Sequence, residues 1–115
     1  MPAFRYCLNA STIRPTPLME KIRIAAEAGY SAIELWHDDL DAYIASGGKL
    51  KDVVHALDDR NLAVPTTIYL RGWCDTTGSA HAQALDECRR RMDVAAELGG
   101  LSSRISEPLW PPARA

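Results

Sequence analysis

The sequence predicts an α/β fold on a parallel sheet, and three observations carry that expectation. Three segments repeat apolar residues at helical spacing, each ended by a residue that tolerates positive φ. A strand-like stretch precedes each segment, so the order is strand, helix, strand, helix, strand, helix. Strand starts fall about 30 residues apart, the length of one βα unit, and crossovers of that length join parallel neighbours.

The first strand is expected over Phe4 to Asn9. Thr16 and Pro17 then form an N-cap followed by proline at the first helical position, and Leu18, Ile22, Ala25 and Ala26 recur at helical spacing up to Gly29. A second strand is expected over Ala32 to His37. From about Lys49, Leu50, Val53, Val54 and Leu57 lie at offsets of three, four and seven, and Asn61 closes the helix as Gly29 closed the first. The third strand, Val64 to Leu70, is rich in β-branched residues. After Ser79 a third helix presents Leu85, Cys88, Met92 and Ala95 on one face and stops at Gly99 and Gly100. Residues 101–115 break the plan with three prolines and no sustained alternation. They are expected to be an irregular tail, either unstructured or read out of frame, beyond a folded region of residues 1–100.

Composition bounds the function classes. The chain has 115 residues, 47% of them hydrophobic and 24% charged, with a net charge of -2, which suits one globular domain and argues against a disordered or strongly basic nucleic-acid-binding chain. Cys7, Cys74 and Cys88 form no CxxC pair, so neither a disulfide framework nor a zinc cage is expected, and reduced thiols in the cytoplasm are. Residues 1–15 lack an uninterrupted apolar core between a basic flank and a small-residue cleavage site, so a secretory signal is not expected there. The longest uncharged apolar stretch, Asn61 to Leu70, contains a proline and is far shorter than the roughly 20 residues that span a bilayer. No membrane partner is expected.

Several motifs fail on spacing. Gly47-Gly48-Lys49 is followed by Leu50 and lacks the preceding P-loop glycine. His37-Asp38-Asp39 with Asp41 resembles a metal cluster, but acids between a strand and a helix more often cap or solvate a loop. Arg89-Arg90-Arg91 has acidic neighbours four residues away on one helix and is expected to be a solvated face.

Three stretches carry a family resemblance: Leu8-Asn9-Ala10-Ser11-Thr12-Ile13, Glu27-Ala28-Gly29-Tyr30-Ser31-Ala32-Ile33-Glu34-Leu35-Trp36, and Leu62-Ala63-Val64-Pro65. Together they resemble the first three βα units of the xylose isomerase-like TIM barrel superfamily, whose members are described as sugar phosphate isomerases or epimerases. The resemblance covers about Phe4 to Gly99, and a full (β/α)₈ barrel takes roughly 250 residues. It implies a truncated barrel. It also implies a divalent metal, Mn, Mg, Co or Zn, held in the full-length family by two glutamates, an aspartate and a histidine or similar ligand on later strands. A metal holding both oxygens of a hydroxy-carbonyl unit acidifies the intervening C–H, and a carboxylate moves the proton. No residue here matches those ligands, so no bound metal and no catalytic residue are expected.

What remains is one wall of a pocket at the carboxyl ends of the strands, where parallel α/β folds gather function. Glu34 would orient polar groups in the barrel mouth or satisfy a neighbouring strand's donor. Trp36 could stack on a sugar ring, and His37 could bond a hydroxyl or be held within its own loop. Tyr69, Arg71 and Trp73 alternate after the third strand, and Arg71 could bind a phosphate or carboxylate or simply face solvent. Asn9 is a pocket residue or part of a turn. The expected function is thus an amino-terminal part of a metal-dependent sugar or sugar phosphate isomerase/epimerase, inactive alone. Its partner would be a small sugar or sugar phosphate, with self-association through exposed sheet edges. The alternatives are a stand-alone α/β ligand- or partner-binding module and, from the same superfamily, an apurinic endonuclease-like DNA repair protein. The last is disfavoured by Thr66, Thr67 and Ile68, which stand where that branch has a histidine, and by the lack of a basic groove.

Overall fold

A computed structural model describes residues 4–99. Strand β1 (Cys7–Asn9) runs into a 3₁₀ turn over Ala10–Ile13 and helix α1 (Leu18–Glu27). Strand β2 (Ala32–Trp36) passes without a loop into helix α2 (His37–Ala45), and helix α3 (Leu50–Asp59) follows. Strand β3 (Thr67–Ile68) and the long helix α4 (Gly78–Gly99) complete the described chain. The sheet order is β1-β2-β3 and both pairings are parallel, as the crossover lengths require. The predicted tail, residues 101–115, lies outside the described residues.

The periodic segments fold as their patterns dictate. Leu18, Ile22 and Ala25 of α1 and Val53 and Leu57 of α3 turn inward to meet Leu8, Ile33 and Leu35 of the sheet. Burying each of the leucine, isoleucine and valine side chains contributes about 1.5–3 kcal/mol. Gly29 takes φ 92° after α1 and Asn61 takes φ 54° after α3, the left-handed conformations that end both helices. The α1 start shifts by one residue, with Pro17 rather than Thr16 in the capping position.

Four expectations are corrected. The second strand ends at Trp36, and His37 opens α2, a helix absent from the sequence-based plan. Hence Asp38, Asp39 and Asp41 are not loop residues: two of them sit in the first turn of α2, where acidic groups offset the helix dipole. The third strand is shorter than Val64 to Leu70. Ala63 bridges Ala32 and Thr67–Ile68 pair with β2, but Pro65 lies between them without an N–H to donate. On α4, Met92 is 55% exposed while Arg91 is 7% exposed, so Arg91, not Met92, joins Cys88 and Leu98 on the inward side. The basic run is therefore not wholly a solvated face.

The sheet has two unlike faces. In parallel register, Leu8 pairs with Ile33 and Leu35 with Thr67 on the side covered by helices. Cys7, Asn9, Glu34, Trp36 and Ile68 alternate onto the other side, where Cys7 and Asn9 are exposed and Glu34, Trp36 and Ile68 are half-buried.

Candidate functional site

The carboxyl ends of the three strands bring together side chains far apart in the sequence. Trp36, the last residue of β2, donates from Nε1 to Ser11 Oγ of the β1 turn at 2.8 Å. Arg14 of the same connection lies over the Trp36 indole, its guanidinium carbon 4.7 Å from the ring centroid. On the other side Trp36 meets Tyr69, ring centroids 6.4 Å apart at a tilt of 49°. Arg71 in turn lies 5.4 Å from the Tyr69 ring centroid. The result is a continuous row, Arg14, Trp36, Tyr69, Arg71, across the ends of all three strands.

The predicted residues occupy distinct places around this row. Asn9 accepts from the Ser11 backbone N–H at 2.9 Å through Oδ1 and so caps the turn that carries Ser11. Glu34 accepts from Thr66 Oγ1 at 2.7 Å, joining β2 to the β3 segment on the open face of the sheet. His37 is 2% exposed and lies one residue past Trp36, toward the helices, with Nε2 2.8 Å from Thr67 Oγ1. Burial, and then the charge of Arg91, push its imidazole below the ordinary value, so the ring is held neutral. Arg71 donates to Asp38 Oδ2 at 2.6 Å, and Trp73 is exposed beyond it. Tyr69, Trp36 and Arg71 thus come together, Glu34 and Asn9 flank them, and His37 lies beneath.

Two features were not legible as site residues. Arg14 sits in a connection with no motif, and only its stacking on Trp36 across 22 positions of sequence reveals it. Arg91 reaches from α4 to the Tyr69 carbonyl at 2.7 Å, to Asp38 at 3.2 Å and to Asp41 at 3.4 Å, while also bonding Glu87 at 3.0 Å. It holds the backbone of the β3 exit against α2. Partial burial would raise the Asp38 carboxyl, but the bonds and charges of Arg71 and Arg91 outweigh it and hold the group below its ordinary value.

The three aspartates of α2 have their charges met by basic side chains. Asp39 pairs with the fully buried Lys21 at 2.5 Å, Asp38 with Arg71 and Arg91, and Asp41 with Arg90 and Arg91. Among the described residues no group of three His, Cys, Asp or Glu side chains converges to hold a metal ion. The donors present do not fit a divalent cation, and no catalytic step is derived through one. No helix of the described residues is long and apolar enough to cross a membrane.

The sequence profile of the xylose isomerase-like TIM barrel family matches residues 22–105. Among solved structures, the fold is similar to a xylose isomerase-like TIM barrel/4-hydroxyphenylpyruvate dioxygenase fusion protein, with a TM-score of 0.72 and 22% identity over 85% of this chain and 15% of that one. It is also similar to a xylose isomerase domain protein from Alicyclobacillus acidocaldarius subsp. acidocaldarius, with a TM-score of 0.70 and 22% identity over 84% of this chain and 34% of that one. No curated protein matches the sequence. The chain therefore spans about a third or less of the length of these structural neighbours. The parallel order β1-β2-β3, the helical crossovers and the profile agree on one assignment: the chain belongs to the xylose isomerase-like TIM barrel family and carries three βα units of the barrel.

Proposed function

We propose that this chain forms the substrate-contacting first wall of a sugar or sugar phosphate isomerase/epimerase pocket, and that by itself it performs no isomerisation. The observation that carries this reading is the row of Trp36, Tyr69 and Arg71 at the strand ends, with Glu34 and Asn9 beside it. An indole presents a flat apolar face to the C–H surface of a sugar, and the flanking amide and carboxylate present acceptors to its hydroxyls. His37 supports the wall from below through Thr67. Proton transfer between adjacent carbons needs an activating cation and a free base; the three aspartates of α2 are ion-paired, and Glu34 accepts from the Thr66 hydroxyl. A reducing, cytoplasmic setting is part of the same reading, supported by three free thiols. So is self-association, because β1 and β3 each present an unpaired edge among the described strands.

Ligand-detected NMR on the full chain with ketoses, aldoses and their phosphates tests the reading, with size-exclusion chromatography on the same sample. Weak, roughly millimolar binding that is lost in Trp36→Ala and kept in Met92→Ala is expected, with concentration-dependent association and no turnover on adding manganese, magnesium or cobalt. Metal-dependent turnover by this chain, or binding indifferent to Trp36→Ala, overturns it. A monodisperse monomer that binds no sugar would favour the stand-alone partner-binding module.

A further inference from the structure

We infer that the strand-end site accepts a ligand carrying an oxyanion group, phosphate or carboxylate, and that Arg14 receives this group. The inference rests on the sugar-pocket reading above and adds to it the substrate's charge and the residue that selects it.

The argument begins with how the arginines near the site are used. Arg71 gives its guanidinium to Asp38 at 2.6 Å, and Arg91 is spent on Glu87, Asp38, Asp41 and the Tyr69 carbonyl. Arg90 is divided between Asp41 and Glu87. Each of these charges is already matched by a carboxylate. Arg14 differs: among the described residues no carboxylate pairs with it and no acceptor takes its N–H groups. Its contact with the Trp36 indole uses the guanidinium as a cation over a ring and consumes no hydrogen bond. A stacked guanidinium is held in place while its donors stay available, the arrangement that suits bidentate recognition of a phosphate or carboxylate.

The surroundings agree. A depression of about 360 Å³ opens beside Arg14, lined also by Thr16, Leu18, Asp39, Tyr43 and Ser46. Asp39 is the acidic group in that lining, and its charge is offset by the buried Lys21 at 2.5 Å. The local balance is therefore positive. Thr16 adds a hydroxyl that bonds no other described group, and Ser11, which accepts from Trp36, keeps its own proton to donate. A ligand at the edge of Trp36 would meet Arg14 directly, because the guanidinium lies over the same ring, 4.7 Å from its centroid, and the depression extends from Arg14 toward α1 and α2.

The test is an NMR titration of the full chain with a free sugar, its phosphate ester, the corresponding sugar acid and inorganic phosphate, at matched ionic strength. The expected result is a preference of about tenfold or more for an anionic form over the free sugar, with resonances of Trp36 and Arg14 shifting. That preference should vanish in Arg14→Gln, persist in Arg89→Gln, an exposed arginine of α4 outside the site, and fall steeply as salt is raised, a measurement on the unaltered chain that needs no variant to fold. Comparison of the ester with the acid decides which oxyanion is taken. Equal binding of charged and free sugar with Trp36 still responding overturns the role of Arg14 and leaves the sugar-pocket reading standing. A preference that survives Arg14→Gln in a folded variant also overturns it. If neither sugar nor anion perturbs Trp36 or Arg14, both fall.

Discussion

Replacing Arg91 by methionine keeps most of a buried side-chain volume and removes the guanidinium, so it isolates the polar part of the contact between α4 and the β3 exit. The three carboxylates that Arg91 meets, Glu87, Asp38 and Asp41, are 42%, 45% and 38% exposed, and water screens each of them once the cation is gone. Each such pair contributes only a few tenths of a kcal/mol. The bond to the Tyr69 carbonyl at 2.7 Å is different, because its donor is charged and only 7% exposed; bonds of that kind contribute about 1.5–3 kcal/mol. Arg91→Met should therefore destabilise the chain by about 2–3 kcal/mol. For a domain of this size that lowers the melting temperature by roughly 10–20 °C. Thermal and urea unfolding followed by far-UV circular dichroism measures it, and Arg91→Lys should fall between the two because an ammonium cannot fork to several acceptors. A methionine variant melting within about 2 °C of the parent would show that the cluster is only a set of surface pairs and that Arg91 does not hold the β3 exit.

Acid should destabilise the fold in two steps. His37 has a lowered folded pKa, so the folded chain binds fewer protons, and the stability its neutral ring confers is complete above about 6.5 and is lost as pH falls from there through the lowered folded value. Glu87 is held at about 2, chiefly by the hydrogen bond from Arg90, so its smaller, solvent-screened contribution is lost as pH falls from 4.5 toward 2. Urea midpoints between pH 7 and pH 5 should fall for the parent and flatten in His37→Gln; parallel slopes would refute the assignment. The Cys7 thiol is pushed up to about 11, first by desolvation and then by the Glu34 carboxylate. Glu34→Gln should therefore bring its pKa partway down and speed its alkylation, measured by peptide mapping with the exposed Cys74 as internal reference, and an unchanged or slower rate would remove Glu34 as a cause.

How much of this was legible in the sequence depends on the range over which each feature is decided. Helices α1 and α3 are decided locally: Leu18, Ile22 and Ala25, or Val53 and Leu57, mark one face, and Gly29 or Asn61 ends it. Helix α2 escaped because its first residue abuts β2, its N-cap position is Trp36 with no side-chain cap, and its three aspartates imitate a polar loop. Arg91 was misplaced because its partners on α2 lie 50 or more positions away, where no helical period can register them. At the site, Trp36, Tyr69 and Arg71 could be placed from strand ends alone. Arg14 could not, because its position depends on an indole contributed by a different strand.

Helix α2 has a consequence for how the chain comes apart. Its three aspartates reach three other parts of the chain: Asp39 binds Lys21 of α1, Asp38 binds Arg71 after β3, Asp41 binds Arg90 of α4, and Asp38 and Asp41 share Arg91 of α4. Stacked repeats ordinarily touch only their immediate neighbours, so they can fray from one end a unit at a time. Here a helix of the second unit is tied at once to the first and the third, and releasing α4 strips partners from the same nine residues that hold α1. The exposed pairs add little each, so the coupling falls chiefly on the buried Lys21 of α1 and Arg91 of α4, both held by α2 aspartates; amide protons of α1 and α4 should therefore exchange with similar opening energies rather than in graded order along the chain.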